Sequence, residues 1–225
     1  MSFSAAERSA LAELASDLRQ VFGARLQSVV AYDPDDGAGE APRELHTLVL
    51  VGALLFDDLM ACVPLTGGWR ARNLAVPLIL PRDEFVRTLD VFPLEYGDVI
   101  ANHVIVDGGD PFEGVCVAEG DVRRAVELQA KSHLIHLREG LLETQGRPDA
   151  VAQLIAASLP AYRSLLRNID RLDTPGADGT GHTEASRRLL SELSAPSTIA
   201  DPTALLGRYL ADAERIWRTV DAWRR

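Results

Sequence analysis

The sequence predicts an α+β fold: a mixed α/β domain over residues 1–117, followed by an antiparallel four-helix bundle over residues 118–225. Three observations predict it. Two apolar runs, Leu26–Tyr32 and Leu45–Val51, flank a loop rich in Asp, Gly and Pro, and so read as two strands around a turn. Strand-like and helix-like stretches then alternate as far as the turn Gly108-Gly109-Asp110-Pro111. From residue 118 onward no strand pattern occurs, and four helical stretches follow one another through short loops.

Each element has its own signal. Leu11, Leu14, Leu18, Val21 and Phe22 recur at helical spacing, Ser4 with Glu7 forms a capping box, and Gly23 is placed to end that helix. After the two strands, Phe56, Leu59, Met60 and Val63 predict a short helix with Asp57 and Asp58 at its positive end. Gly67-Gly68 is expected to break it, and Trp69 to Asn73 to begin another helical turn. Ala75–Leu80 predicts a third strand, with Pro77 confining it to a sheet edge or a bulge. Pro81–Leu89 predicts a short helix, and Val91–Ile100 and His103–Val106 two further strands. Gly120–Thr144 is a long helix with Val122, Val126, Leu134, Leu137 and Leu141 near one stripe. Asp149 is expected to cap a second helix to Leu172, which Pro160 kinks or divides. Asp173–His182 reads as a loop, Thr183–Leu193 as a third helix, and Asp201-Pro202 as the cap and first position of a fourth that runs to Trp223.

Composition narrows the function classes. With 47% hydrophobic and 25% charged residues, the chain can bury an ordinary core. A net charge of −10 argues against broad binding to nucleic acid or to anionic membrane. The N-terminus lacks the pattern of a signal peptide, and no apolar run reaches the ~18 residues of a membrane span. A cytoplasmic location is expected. Cys62 and Cys116 have no metal-ligand spacing, so they are read as small buried hydrophobes and not as a disulfide.

Helix, strand, turn, strand at the start, with a helical bundle at the end, resembles the nucleotidyltransferase superfamily. The likeness is to the minimal and aminoglycoside nucleotidyltransferases of bacteria, which have a DNA polymerase β-type fold. VFGARLQSVVAYD is similar to the usual helix end and first strand, and PLEYGDVI with HVIVDGGDPF to the later strands and turn. The resemblance implies a nucleotidyltransferase-like α/β domain and a nucleotide site using Mg²⁺. In that family the first strand ends in Gly-Ser, where backbone amides approach phosphate, and the second carries Asp-x-Asp, which holds the metal. Here the Gly-Ser positions fall on Asp33 and Pro34, and the Asp-x-Asp positions on Leu45 and Thr47. Proline removes an amide donor, Asp33 repels phosphate, and neither Leu nor Thr replaces an ionised carboxylate at a metal.

The remaining candidates are weighed one by one. Asp33, Asp35 and Asp36 form an acidic loop without the ligand series of a calcium loop, and a solvated turn is favoured. Glu95 and Asp98 lie on the predicted fourth strand, where a spacing of three points them to opposite sides. One of them could occupy the place of the family's third carboxylate. His46 sits between the two lost aspartates and faces the other way. Arg124, Lys131 and Arg138 recur every seven residues on the first bundle helix, with Glu127 four before Lys131. This stripe either binds phosphate or is a solvent face with an i, i+4 pair, and the second is favoured. His133 and His136 lack a third metal ligand, and Trp217, Trp223 and Leu210 are expected to pack the bundle or a subunit interface.

The leading expectation is a catalytically degenerate nucleotidyltransferase-like protein. It would act as a nucleotide- or small-ligand-binding or regulatory module, with no catalytic residues and no cofactor. Its ligand-binding candidates are Asp33, Glu95, Asp98, Arg124, Glu127 and Lys131, and a homodimer is compatible with the bundle. The alternatives are an active enzyme whose metal site is rebuilt from Glu95 or Asp98 with the acidic loop, with Mg²⁺ as cofactor, and a purely structural protein.

Overall fold

The computed structural model describes residues 3–32, 44–172, 182–194 and 201–223. The acidic loop with Asp33, Asp35 and Asp36, and most of the predicted loop 173–182, lie outside these residues. The chain divides into two compact units, Met1–Ala118 and Glu119–Arg225.

The first unit begins with α1 (Ala5–Phe22). Its capping box forms: the Glu7 amide donates to Ser4 Oγ at 3.2 Å, and the Ser4 amide to Glu7 Oε2 at 2.7 Å. Gly23 takes a φ of 55° and ends the helix. β1 (Leu26–Tyr32) and β2 (His46–Val51) pair antiparallel. β3 (Leu78–Pro81) runs parallel to β2, and β4 (His103–Gly108) antiparallel to β1, in the order β3-β2-β1-β4. Pro77 therefore precedes an edge strand, where a missing donor costs little.

Strand alternation feeds two cores. Val29, Ala31, Leu45, Val49 and Val51 pack with Leu11, Leu14, Leu18 and Phe22 of α1. Val30, Leu48 and Leu50 pack on the other face with Phe85, Tyr96, Val99 and Phe112. Both faces are buried, which is why the strands read as nearly continuous apolar runs.

Four helices occupy the stretch between β2 and β4: α2 (Phe56–Cys62), α3 (Thr66–Ala71), α4 (Arg82–Arg87) and α5 (Pro93–Ala101). Two expectations are corrected here. Gly67 and Gly68 do not break the helical path but lie inside α3, which follows α2 through a single 3-10 turn, Val63–Leu65. Residues 93–101 are a helix, not a strand. Pro93 at its first turn fits a helix start, and Pro93, Tyr96 and Val99, three apart, are its buried residues. Beta-prone composition masked that period.

The second unit is all helical among the described residues: α6 (Glu119–Thr144), α7 (Pro148–Leu172), α8 (His182–Leu193) and α9 (Pro202–Ala222). Side-chain partners show antiparallel neighbours. Along α6 and α7, Gln129 meets Ser164, His133 meets Tyr162, and Gly140 abuts Leu154. Along α7 and α8, Arg163 meets Ser194 and Asp170 meets Arg187. Along α8 and α9, Ser186 meets Asp212 and Glu192 meets Arg208. Asp201 caps α9 by accepting from the Ala204 amide at 3.0 Å.

α7 starts at Pro148, one residue before the predicted Asp149 cap, and runs unbroken through Pro160. Pro160 and Ala156 are both on the exposed side, so water can take the carbonyl that proline leaves without a donor.

Candidate functional site

In the first unit, the two sheet faces treat polar residues differently. Leu45 and Thr47, where the family resemblance would put a metal pair, point into the core under α1 and are 4% and 1% exposed. The Thr47 hydroxyl has no hydrogen-bond partner among the described residues. A buried hydroxyl without a partner is destabilising, whereas a methyl of the same shape is at home there. Thr47→Val is therefore expected to stabilise the protein by about 1 kcal/mol, read as a higher urea midpoint. An unchanged or lower midpoint would show that the hydroxyl is satisfied.

On the opposite face, register builds a row that neighbouring positions in the sequence do not suggest. Tyr32 is the cross-strand partner of His46 on β2 and of His103 on β4. Directly opposed residues share a face, so His46, Tyr32 and His103 stand side by side at one end of the sheet. All three are half-buried. The Tyr32 and His46 rings lie 5.8 Å apart at a tilt of 46°. Burial, then the neighbouring Tyr96, raises the Tyr32 pKa, so its hydroxyl remains a proton donor. His103 is oriented by its surroundings. With Nδ1 as donor it bonds the Ile100 carbonyl at 3.0 Å, and its Nε2 faces Asp110 Oδ1 at 3.7 Å. Asp110 is itself held by the Phe112 amide at 2.8 Å, and the Phe112 ring meets His103 edge-on at 4.7 Å. The row offers a phenol, two imidazoles and a carboxylate, suited to hydrogen bonding and ring contact. Among the described residues no three His, Cys, Asp or Glu side chains are grouped to hold a metal ion.

Compared with solved structures, the chain is similar to the spectinomycin adenyltransferase AAD(9) of Enterococcus faecialis, solved with ATP and spectinomycin. The sequences are 12% identical over 92% of this chain and 98% of that one, with a TM-score of 0.46. No family model matches the sequence, and no curated protein matches it. At that identity and score the likeness assigns no activity, substrate or residue role to this chain.

The predicted ligand residues are divided between the two units. Asp33 lies outside the described residues. Glu95 and Asp98 sit on α5, not on a strand, so their spacing of three brings them to one side of a helix in place of two sides of a sheet. Glu95 is exposed and Asp98 half-buried. In the second unit, Arg124 pairs with Asp121, and Glu127 meets Arg123 at 3.6 Å. The Lys131 ammonium lies 3.5 Å from the centre of the Trp217 ring, so this lysine is engaged in a cation–π contact and is not part of a bare solvent face. Arg138 reaches Glu214 at 3.3 Å. His133 is buried, while His136 is exposed beside Glu139, so the two imidazoles do not converge.

The bundle interior is more polar than its sequence suggested. His133 Nε2 lies 2.8 Å from the Tyr209 hydroxyl, and the Tyr162 ring stacks against His133 at 5.7 Å. Asp212 collects three partners: the Tyr162 hydroxyl, the Ser186 hydroxyl at 2.7 Å and the Arg215 guanidinium. Burial pushes both tyrosine pKa values far up and lowers that of His133 to about 4. These are neutral, mutually satisfied groups, the condition under which a polar core is tolerated.

The two thiols also differ from expectation. Cys62 is buried, but Cys116 is exposed, and both are free. No helix among the described residues is long and apolar enough to cross a membrane.

Tyr32 and His103 were not singled out from the sequence. One ends a strand and the other begins one, and only the pairing of β1 with β4 brings them together.

Proposed function

We propose that this protein is a nucleotide- or small-ligand-binding regulatory module on a nucleotidyltransferase-like frame, without metal-dependent transfer. The observation that carries the reading is on β2. The metal-pair positions that the resemblance implies, Leu45 just before the strand and Thr47 on it, are sealed beneath α1, while the opposite face bears His46 beside Tyr32 and His103. A triphosphate–metal complex gains nothing from the first pair. A heterocyclic ring gains hydrogen bonds and ring contact from the second.

The test is calorimetric titration with ATP, GTP, CTP and UTP, each with and without Mg²⁺. Binding in the micromolar range that does not need Mg²⁺, weakened about tenfold or more by Tyr32→Ala, is the expected result. Binding that appears only with Mg²⁺ would overturn the reading in favour of a rebuilt site that draws on Glu95 or Asp98. Absence of binding to all four would overturn the nucleotide reading.

A further inference from the structure

α2 is built inside out. Asp58 and Cys62 face inward, with Asp58 gripping Arg25 at 2.6 and 2.7 Å, and Arg25 holds the Asp58 carboxyl below its ordinary range. The inward series continues at helical spacing through half-buried Leu65 to buried Trp69, whose indole donates to Asp17 at 2.9 Å. The outward side carries the large apolar residues. Phe56 is 74% exposed, Met60 52% and Val63 57%, with Leu59 beside them at 42%. The same outward period passes through exposed Gly67 to exposed Arg70. A helix that buries its acid and exposes its phenylalanine is shaped by something outside its own core.

We infer that this face, residues 56–71 of α2, the following turn and α3, packs antiparallel against the same face of a second copy of this chain. Charge selects the occupant and the register. The stretch has an exposed acid, Asp57, near its start and an exposed base, Arg70, near its end, and neither has an ion pair among the described residues. An antiparallel two-fold places Asp57 against Arg70 of the second copy, twice over. That register then sets large against small without further adjustment. Phe56 falls opposite Ala71 of the second copy, Met60 opposite Gly67 of the second copy, and Val63 with Pro64 at the axis. Gly67 has no atom within 4 Å of where a Cβ would stand, so its surface is open to the incoming methionine. A membrane surface suits the stripe less well: Asp57 borders it, and the chain carries a net charge of −10.

Sedimentation of the full chain over a concentration series tests this. Dimer is expected in the wild type. Met60→Glu, at a site already half in water, is expected to leave the circular dichroism spectrum unchanged and raise the dimer dissociation constant on the order of a hundredfold. Asp57→Arg and Arg70→Asp should each weaken the dimer, and the two together should restore it. A wild-type chain that stays monomeric at about 100 μM, or a dimer indifferent to Met60→Glu, would overturn the inference. So would a double charge exchange that fails to rescue, or a monomer that binds anionic vesicles through this face. Because nucleotide binding is not used as a readout, failure here leaves the ligand reading standing.

Discussion

Asp212→Ala is expected to destabilise the helical unit by about 3–5 kcal/mol. Asp212 joins three helices. It accepts from Tyr162 on α7, Ser186 on α8 and Arg215 on its own α9. Tyr162 and Ser186 are both fully buried, so loss of the carboxylate takes an acceptor from two hydroxyls where water cannot replace it. Among the described residues it also leaves the half-buried Arg215 guanidinium with Ser186, at 2.7 Å. Breaking one side of such a network costs more than the network contributes over an apolar core, because the remaining groups keep their desolvation penalty. Asp212→Asn preserves an acceptor and should cost about half as much. Urea unfolding followed by tryptophan fluorescence, with Trp217 reporting on α9, reads the difference. Amide exchange should show α8 losing protection first, since Ser186 is its buried polar tie to α9, whereas its Arg187–Asp170 and Glu192–Arg208 pairs are at the surface. An Asp212→Ala protein as stable as wild type would mean the clasp is ornamental.

The helical unit is also expected to weaken in acid, through His133. Its pKa falls from 6.5 to about 4 in the folded bundle, chiefly by burial and secondarily by His136. The folded state therefore binds fewer protons than the unfolded state between these values. Stability from this group is complete above about pH 6.5 and is lost as pH falls toward 4. The loss amounts to about 3 kcal/mol at the acid end. Nearby tyrosines do not titrate in this window, because burial moves them the other way. His133→Phe should flatten the slope between pH 4 and 6.5 while keeping ring contact with Tyr162. Equal slopes in the two proteins would show that the imidazole reaches solvent or a carboxylate on protonation.

Features settled by residues a few positions apart were legible in the sequence. The capping box of α1 needs only Ser4 and Glu7, and the cap of α9 needs only Asp201 before Pro202. The two apolar runs became β1 and β2 because each is short, rich in valine and flanked by turn residues. The change to helices near residue 118 was equally plain, since no strand period follows it. Tertiary structure decided the rest. Val91–Ile100 is strand-like in composition, yet Tyr96 and Val99 pack from a helix with Val30, Leu48 and Leu50. Lys131 was legible in the sequence as a partner for Glu127, but its contact with the Trp217 ring needed α9. The His46, Tyr32 and His103 row depends on the pairing of three strands, and the outward face of α2 on which side Arg25 and Trp69 claim. Local hydrogen bonds and period are written in adjacent residues. Cross-strand register, burial and partner choice depend on residues tens of positions away, and only the folded chain brings those together.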